Sequence, residues 1–190
     1  MKSEPEDFSI EDLRTRKNQT EPWTGVRNYQ ARNYMRDGMK PGDLIFFYHS
    51  NITPPGIAGL AEVASEPFPD PTAFDPSSKY YDPKSGTHGT TWMCVDVKYV
   101  ETFPRLLPLD EIRRIPGASA MALLRPGSRL SVQPVTAREF EHIMAWIRKY
   151  PEAPPSAKGP APRPQALPAR SFKAGPPKTK PLPTTRGKSQ

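Results

Sequence analysis

The 190-residue chain has a single cysteine, Cys94, so no disulfide can form within it and nothing marks a disulfide-stapled secreted scaffold. It has no apolar run approaching the roughly 18 residues of a membrane helix, and no apolar signal segment at its start. The expectation is a soluble cytoplasmic protein, nuclear in a eukaryote, with no membrane partner. Signatures of catalysis are missing too. There is no phosphate-cradling glycine loop, no nucleophile elbow and no deaminase-type His-x-Glu with paired cysteines. His88 and His142 stand at no ligand-like spacing from a cysteine or a carboxylate cluster, so no metal or other cofactor is expected. His49 beside Ser50 resembles a base next to a nucleophile, but adjacent strand residues face opposite ways. On that pattern Tyr48 and Ser50 share a face, His49 lies opposite or caps a loop, and Cys94 is a buried mid-strand thiol. No enzyme is indicated.

Net positive charge is present, but only at one end. From Pro151 to Gln190 eight cations face one acid, Glu152, which accounts for the whole chain's net charge of +7. Residues 1–150 therefore balance to zero. The same segment carries eleven of the 26 prolines, with Phe172 as its one aromatic. Such a composition cannot bury enough apolar surface to offset ordering entropy, so residues 151–190 are expected to form a disordered tail. Its uses would be a sequence-blind tether to phosphate, or none. Residues 1–150 are ample for one core.

Within that domain, Ser9-Ile10-Glu11-Asp12 has the form of a capping box, placing a short helix from Ser9 to about Arg16. Residues 17–24 read as a loop, and Ala31, Tyr34, Met35 and Met39 then follow helical spacing from Asn28 to about Gly38. Leu44–Tyr48 is a strand apolar on both faces, and Ile57–Ser65 is a second. Residues 66–90 are a long loop rich in Pro, Asp and Ser, with Phe68, Phe74, Tyr80 and Tyr81 spaced along it. Thr91–Glu101 alternates as a strand, Leu109–Ile112 is a helical turn, and Arg129–Gln133 is a last strand. Thr136-x-x-Glu139 caps a final helix, with Phe140, Ile143, Met144 and Ile147 on one face. Strands mixed with short helices, without regular βαβ alternation, imply an α+β domain around a small, highly curved sheet or barrel.

The densest recognition chemistry lies at Trp23–Asn33, which offers an indole face, two guanidinium groups, a tyrosine and three carboxamides without one carboxylate. Aromatic faces stack on bases, carboxamides match base edges, and Arg answers phosphate. Two roles stay open for Trp23, stacking face or core residue, and two for Asn28, base contact or helix cap. Arg27 and Arg32 fit phosphate better than base edges, with a solvated helix face as their alternative.

Several fragments occur in a fixed order: Lys2-Ser3-Glu4-Pro5, Trp23, Gly25 to Arg32, Gly42-Asp43, Phe47 to Ser50, Gly56 to Gly59, Tyr81-Asp82-Pro83, Trp92 with Val95 to Val97, and Leu130 to Pro134. Together they resemble the EVE domain family. The resemblance covers residues 1 to about 150 and implies a PUA-like pseudo-β-barrel with flanking short helices, akin to YTH and ASCH domains. It implies a non-catalytic module that binds nucleic acid and reads a modified base, a modified cytosine in DNA first; a monomer is assumed, since the sequence does not give the oligomeric state. Modified or structured RNA is the alternative partner, and a protein-interaction module is a third reading. By motif, the pocket would draw on Lys2, Ser3 and Glu4 of a first strand, with Trp23 on its wall. Arg27, Asn28, Tyr29 and Arg32 would line its mouth, and Tyr48, His49 and Ser50 would come from the end of the next strand. The family's first strand usually starts upstream of the Met-Lys-Ser-Glu-Pro motif, so the natural chain is expected to begin before Met1.

Overall fold

The structure is a computed structural model that describes residues 1–86, 89–152 and 154. Strand β3 (Leu44–His49) runs through the middle of the core, and its side chains alternate between two apolar clusters. Ile45 and Phe47 enter one cluster, Phe46 and Tyr48 the other, because successive strand residues point to opposite faces. Strand β1 (Lys2–Ser3) adds to β3 in parallel, and β4 (Gly56–Val63) pairs with it antiparallel. The long β7 (Asp96–Pro108) follows β4, and β2 (Thr20–Pro22) closes the far edge, giving the order β1-β3-β4-β7-β2. Two short strands, β5 (Phe68–Pro69) and β6 (Met93–Cys94), pair separately.

The five-stranded mixed sheet curls into a half-barrel with a few short helices, the α+β pseudo-barrel expected from the sequence. One cause of the curl is visible in the register. Between the pairs Ile57–Leu107 and Gly59–Thr102, four residues of β7 oppose the single residue Ala58 of β4. A bulge of this kind bends the strand, and it gives Pro104 a place where no ladder N–H is required. That is why β7 continues to Pro108 rather than stopping at Glu101, as its alternation suggests.

Helix α1 (Ile10–Thr15) begins at the expected capping box: Asp12 N–H donates to Ser9 Oγ and Ser9 N–H donates to Asp12 Oδ2. It lays Ile10 against Gly59, where any Cβ would collide with the Ile10 side chain and the Glu101 carbonyl. Helix α3 (Leu109–Ile112) and helix α4 (Ala137–Lys149) cover the other face, with Ile143, Met144 and Ile147 packed among Phe46, Ile57 and Leu107. The buried Glu111 joins them to the sheet. It accepts two hydrogen bonds from the Arg105 guanidinium, at 2.8 and 2.7 Å, and one from Trp146 Nε1 at 2.6 Å. Burial raises the Glu111 pKa, but these donors outweigh it and hold the carboxyl below its ordinary value.

Four local expectations change. Residues 17–24 include strand β2 as well as loop, because β7 supplies a partner that the polar sequence does not announce. The helix from Asn28 is regular only as α2 (Tyr29–Asn33) and continues to Gly38 as a π-type turn. Residues 129–133 form no strand; they meet β1 through one backbone bond, Lys2 N–H to the Ser131 carbonyl at 2.7 Å. The loop 66–90 holds β5 and a 3-10 turn, Pro71–Ala73. Cys94 is buried as expected, and burial, with Asp70 and Asp96 nearby, pushes its thiol up to about 12. The expected tail falls almost wholly on residues outside those described.

Candidate nucleic-acid interface

A cavity of about 740 Å³ opens beside the edge strand β1. Its aromatic walls are Phe8, Trp23 and Tyr80; Ser3, Ser50 and Ser131 add hydroxyls, and Lys2 and Arg129 add positive charge. Two further cations at the cavity are already paired, Arg16 with Glu21 at 3.3 Å and Lys79 with Asp7 at 3.7 Å. Among the described residues, neither Lys2 nor Arg129 has a carboxylate partner.

Trp23 combines its two candidate roles. It is only 8% exposed, set edge-on to Phe8 and Phe47 at 6.4 and 5.4 Å, and it still borders the cavity. The β1 edge is held in turn. Ser50 N–H and Oγ both donate to the Ser3 carbonyl, at 2.8 and 3.2 Å, and Ser3 Oγ donates to the Phe8 carbonyl at 2.7 Å. Glu4 accepts from Asn51 Nδ2 at 3.1 Å, and the half-buried Lys2 donates to the Ser128 carbonyl at 3.3 Å. Burial lowers the Lys2 pKa.

Of the eleven candidates, Lys2, Ser3, Glu4, Trp23 and Ser50 line this cavity, and the other six do not. Asn28 is the helix cap: its Oδ1 accepts from Gln30 and Ala31 N–H at 2.9 and 3.1 Å. Arg27 turns inward instead of toward phosphate. Its guanidinium meets the buried Asp70 at 2.6 Å and Thr72 Oγ1 at 3.0 Å, and it donates twice to the Tyr80 carbonyl. Asp70 also accepts from Gly25 N–H at 2.9 Å and from Thr72 N–H and Oγ1 at 2.9 and 2.7 Å. Burial raises the Asp70 pKa, yet Arg27 and the other donors hold it below the usual carboxylate value. Arg27 is therefore a positioning residue that fixes Tyr80 on the cavity wall. Gly25 lets that ring close in: its φ is +79°, and a Cβ there would lie 2.6 Å from the Tyr80 ring.

Tyr29 and Arg32 lie on α2, where Tyr29 packs against Trp92, outside the cavity lining. Tyr48 and His49 do point to opposite faces, as expected. Tyr48 is buried in the cluster beneath α4, while His49 sits edge-on to Phe47 and accepts Ile10 N–H at Nε2, 3.2 Å away. Ser50 has left the strand, so the alternation that grouped it with Tyr48 stops at His49. Phe8, Tyr80 and Arg129 are the wall residues that sequence reasoning missed. Only the spaced aromatics of the 66–90 loop and the Leu130–Pro134 fragment hinted at them.

His49 gives a pH expectation. Burial lowers its pKa below 6.5, against a smaller opposing pull from Asp12, and the acceptor role of Nε2 requires the neutral ring. Its contribution is full above pH 6.5 and is lost as pH falls through the lowered value. The melting temperature should drop between pH 7 and 5, and His49→Gln should flatten that drop. Equal slopes for the two proteins would show that His49 does not couple to folding.

Among the described residues no group of three His, Cys, Asp or Glu could hold a metal ion, and no helix is long and apolar enough to cross a membrane. Comparisons with known proteins give the kinship. Thymocyte nuclear protein 1 of Homo sapiens is 42% identical over 167 residues, spanning 80% of this chain and 74% of that one. Its Danio rerio counterpart is 46% identical over 168 residues, spanning 80% and 72%. A crystal structure of a Pseudomonas syringae protein superposes with a TM-score of 0.72 at 45% identity, covering 77% of this chain and 97% of the other. One of human THYN1 protein in complex with 5-methylcytosine containing DNA does so with a TM-score of 0.72 at 41% identity, covering 81% and 97%. The EVE domain model matches residues 1–146. With the curled sheet, the β1 edge and the matching model in agreement, this chain belongs to the EVE domain family.

Proposed function

We propose that the protein is a non-catalytic reader of a modified base, a modified cytosine in DNA, and that the cavity beside β1 receives that base. The observation that carries this reading is the cavity itself, about 740 Å³ walled by Phe8, Trp23 and Tyr80, with Ser3 and Ser50 held at its rim. That volume lies in the ~300–1,000 Å³ range of sites that enclose a small organic ligand. A base inside a duplex cannot be enclosed this way, so the ligand enters extruded or single-stranded. The complex of human THYN1 protein with 5-methylcytosine containing DNA supports cytosine methylation as the mark. Lys2 and Arg129, free of carboxylate partners among the described residues, are suited to the flanking phosphates.

The division of labour follows from magnitudes. Burying one methyl contributes about 0.8 kcal/mol, roughly a fourfold preference, so most affinity must come from stacking and phosphate contacts. Titration with matched oligonucleotides containing 5-methylcytosine or cytosine, and with RNA containing methylated adenine, tests the reading. The expected result is a preference of about fourfold or more for methylated DNA, reduced by Trp23→Leu. Equal affinity for methylated and unmethylated DNA would refute it, and a stronger preference for the modified RNA would replace DNA with RNA.

A further inference from the structure

Outside the cavity, Tyr29 is the most exposed large apolar side chain among the described residues, with 63% of its surface open. It is not a loose ring. It lies 5.0 Å from Trp92 at an interplanar angle of 31°, and Trp92 is itself buried and fixed by its Nε1 donating to Asp82 at 2.7 Å. The Arg32 guanidinium lies 5.5 Å from the Tyr29 ring centre and is tied to the Thr91 carbonyl at 2.6 Å. A tyrosine kept open in water on a rigid aromatic base, with a fixed cation beside it, has the parts of a nucleobase platform.

We propose that Tyr29, backed by Trp92 and flanked by Arg32, stacks an unpaired base of the same strand whose modified base enters the cavity. This rests on the nucleic-acid reading above and assigns a second subsite to it. Position supports one strand serving both. The Arg27 guanidinium lies 5.6 Å from the Tyr80 ring centre and 5.3 Å from that of Trp92, so those rings are at most about 11 Å apart. Tyr29 lies one ring further out. At about 3.4 Å per stacked nucleotide, cavity wall and platform are separated by only a few nucleotides. Charge supports it as well, because Arg32 brings a cation to the platform's edge while Asp82 is engaged with Trp92. Every base has a π-face, so the platform adds affinity without reading the modification.

The test uses the full chain and single-stranded oligonucleotides with one central 5-methylcytosine or cytosine. Tyr29→Ala should weaken binding about tenfold for both, leaving their ratio unchanged, while Tyr29→Phe binds like the unsubstituted protein. In the unsubstituted protein, an abasic nucleotide scanned along the strand should cost a similar factor at one offset. Tyr29→Ala should lose nothing further there. Unchanged binding by Tyr29→Ala would overturn the platform and turn the exposed ring toward a protein partner. A loss coupled to no abasic position would overturn it too. A Tyr29→Ala loss that persists when methylated and unmethylated strands bind equally would leave the platform standing and remove the cavity reading.

Discussion

Arg27→Ala is expected to lower the unfolding free energy by about 3 kcal/mol or more, read from urea unfolding at pH 7. The reason lies in what remains. Asp70 is buried, and removing the guanidinium 2.6 Å away leaves its charge with only Gly25 and Thr72 as donors. Breaking one side of a buried pair costs more than the pair contributes as a whole. Arg27→Ala with Asp70→Ala should therefore cost clearly less than the two single losses added together. The sign of the pH dependence follows from the lowered Asp70 pKa. The pairing contribution is full above 3.8 and is lost as pH falls through the depressed folded value, so variant and parent should converge in acid. A loss under about 1 kcal/mol at pH 7 would mean that the pair behaves as a solvated surface contact. Recognition is affected as well. Tyr80 loses both hydrogen bonds that hold its carbonyl, so discrimination between methylated and unmethylated DNA should weaken together with stability.

Glu111→Ala should cost a similar amount, about 3 kcal/mol, for the same physical reason with the sign reversed: Arg105 keeps a half-buried charge and Trp146 Nε1 loses its acceptor. Its effect on recognition should differ. Glu111 bonds Trp146 of α4, which packs on the cluster at one face of β3, whereas Trp23 and Phe8 pack in the cluster at the other. Under conditions where the variant is still folded, its preference for methylated DNA should equal that of the parent. Comparing Arg27→Ala with Glu111→Ala thus separates general destabilisation from damage to the cavity. If Glu111→Ala also lost the preference, the two faces of the sheet would be coupled.

Features whose causes are local were legible in the chain. Both capping boxes, at Ser9 and Thr136, form as read, and the doubly apolar run beginning at Leu44 is strand β3, which feeds a cluster on each face. Features decided by distant partners were not. Thr20–Pro22 is polar and becomes a strand only because β7 lies beside it, and Pro104 continues a strand only because a bulge receives it. The site follows the same rule. Lys2, Ser3, Glu4, Trp23 and Ser50 were named from an ordered resemblance, and they border one cavity. Arg27 looked like a phosphate ligand because its partner, Asp70, is 43 residues away and carries no mark of its burial in the sequence. Asn28 was open between two roles, and the two N–H groups ahead of it decided for the cap.

The order in which the cavity's walls are made has a consequence during synthesis. Lys2 leaves the ribosome first among them, but the wall includes Arg129 and Ser131, and the Ser131 carbonyl holds the backbone of Lys2. At about 5–20 residues per second, roughly 6 to 26 seconds separate the two ends of the same wall. Contacts this distant in sequence form late. A nascent chain can therefore build α1 and the β3–β4 pair early, yet it cannot complete the walls of the proposed base cavity until nearly the whole domain has emerged.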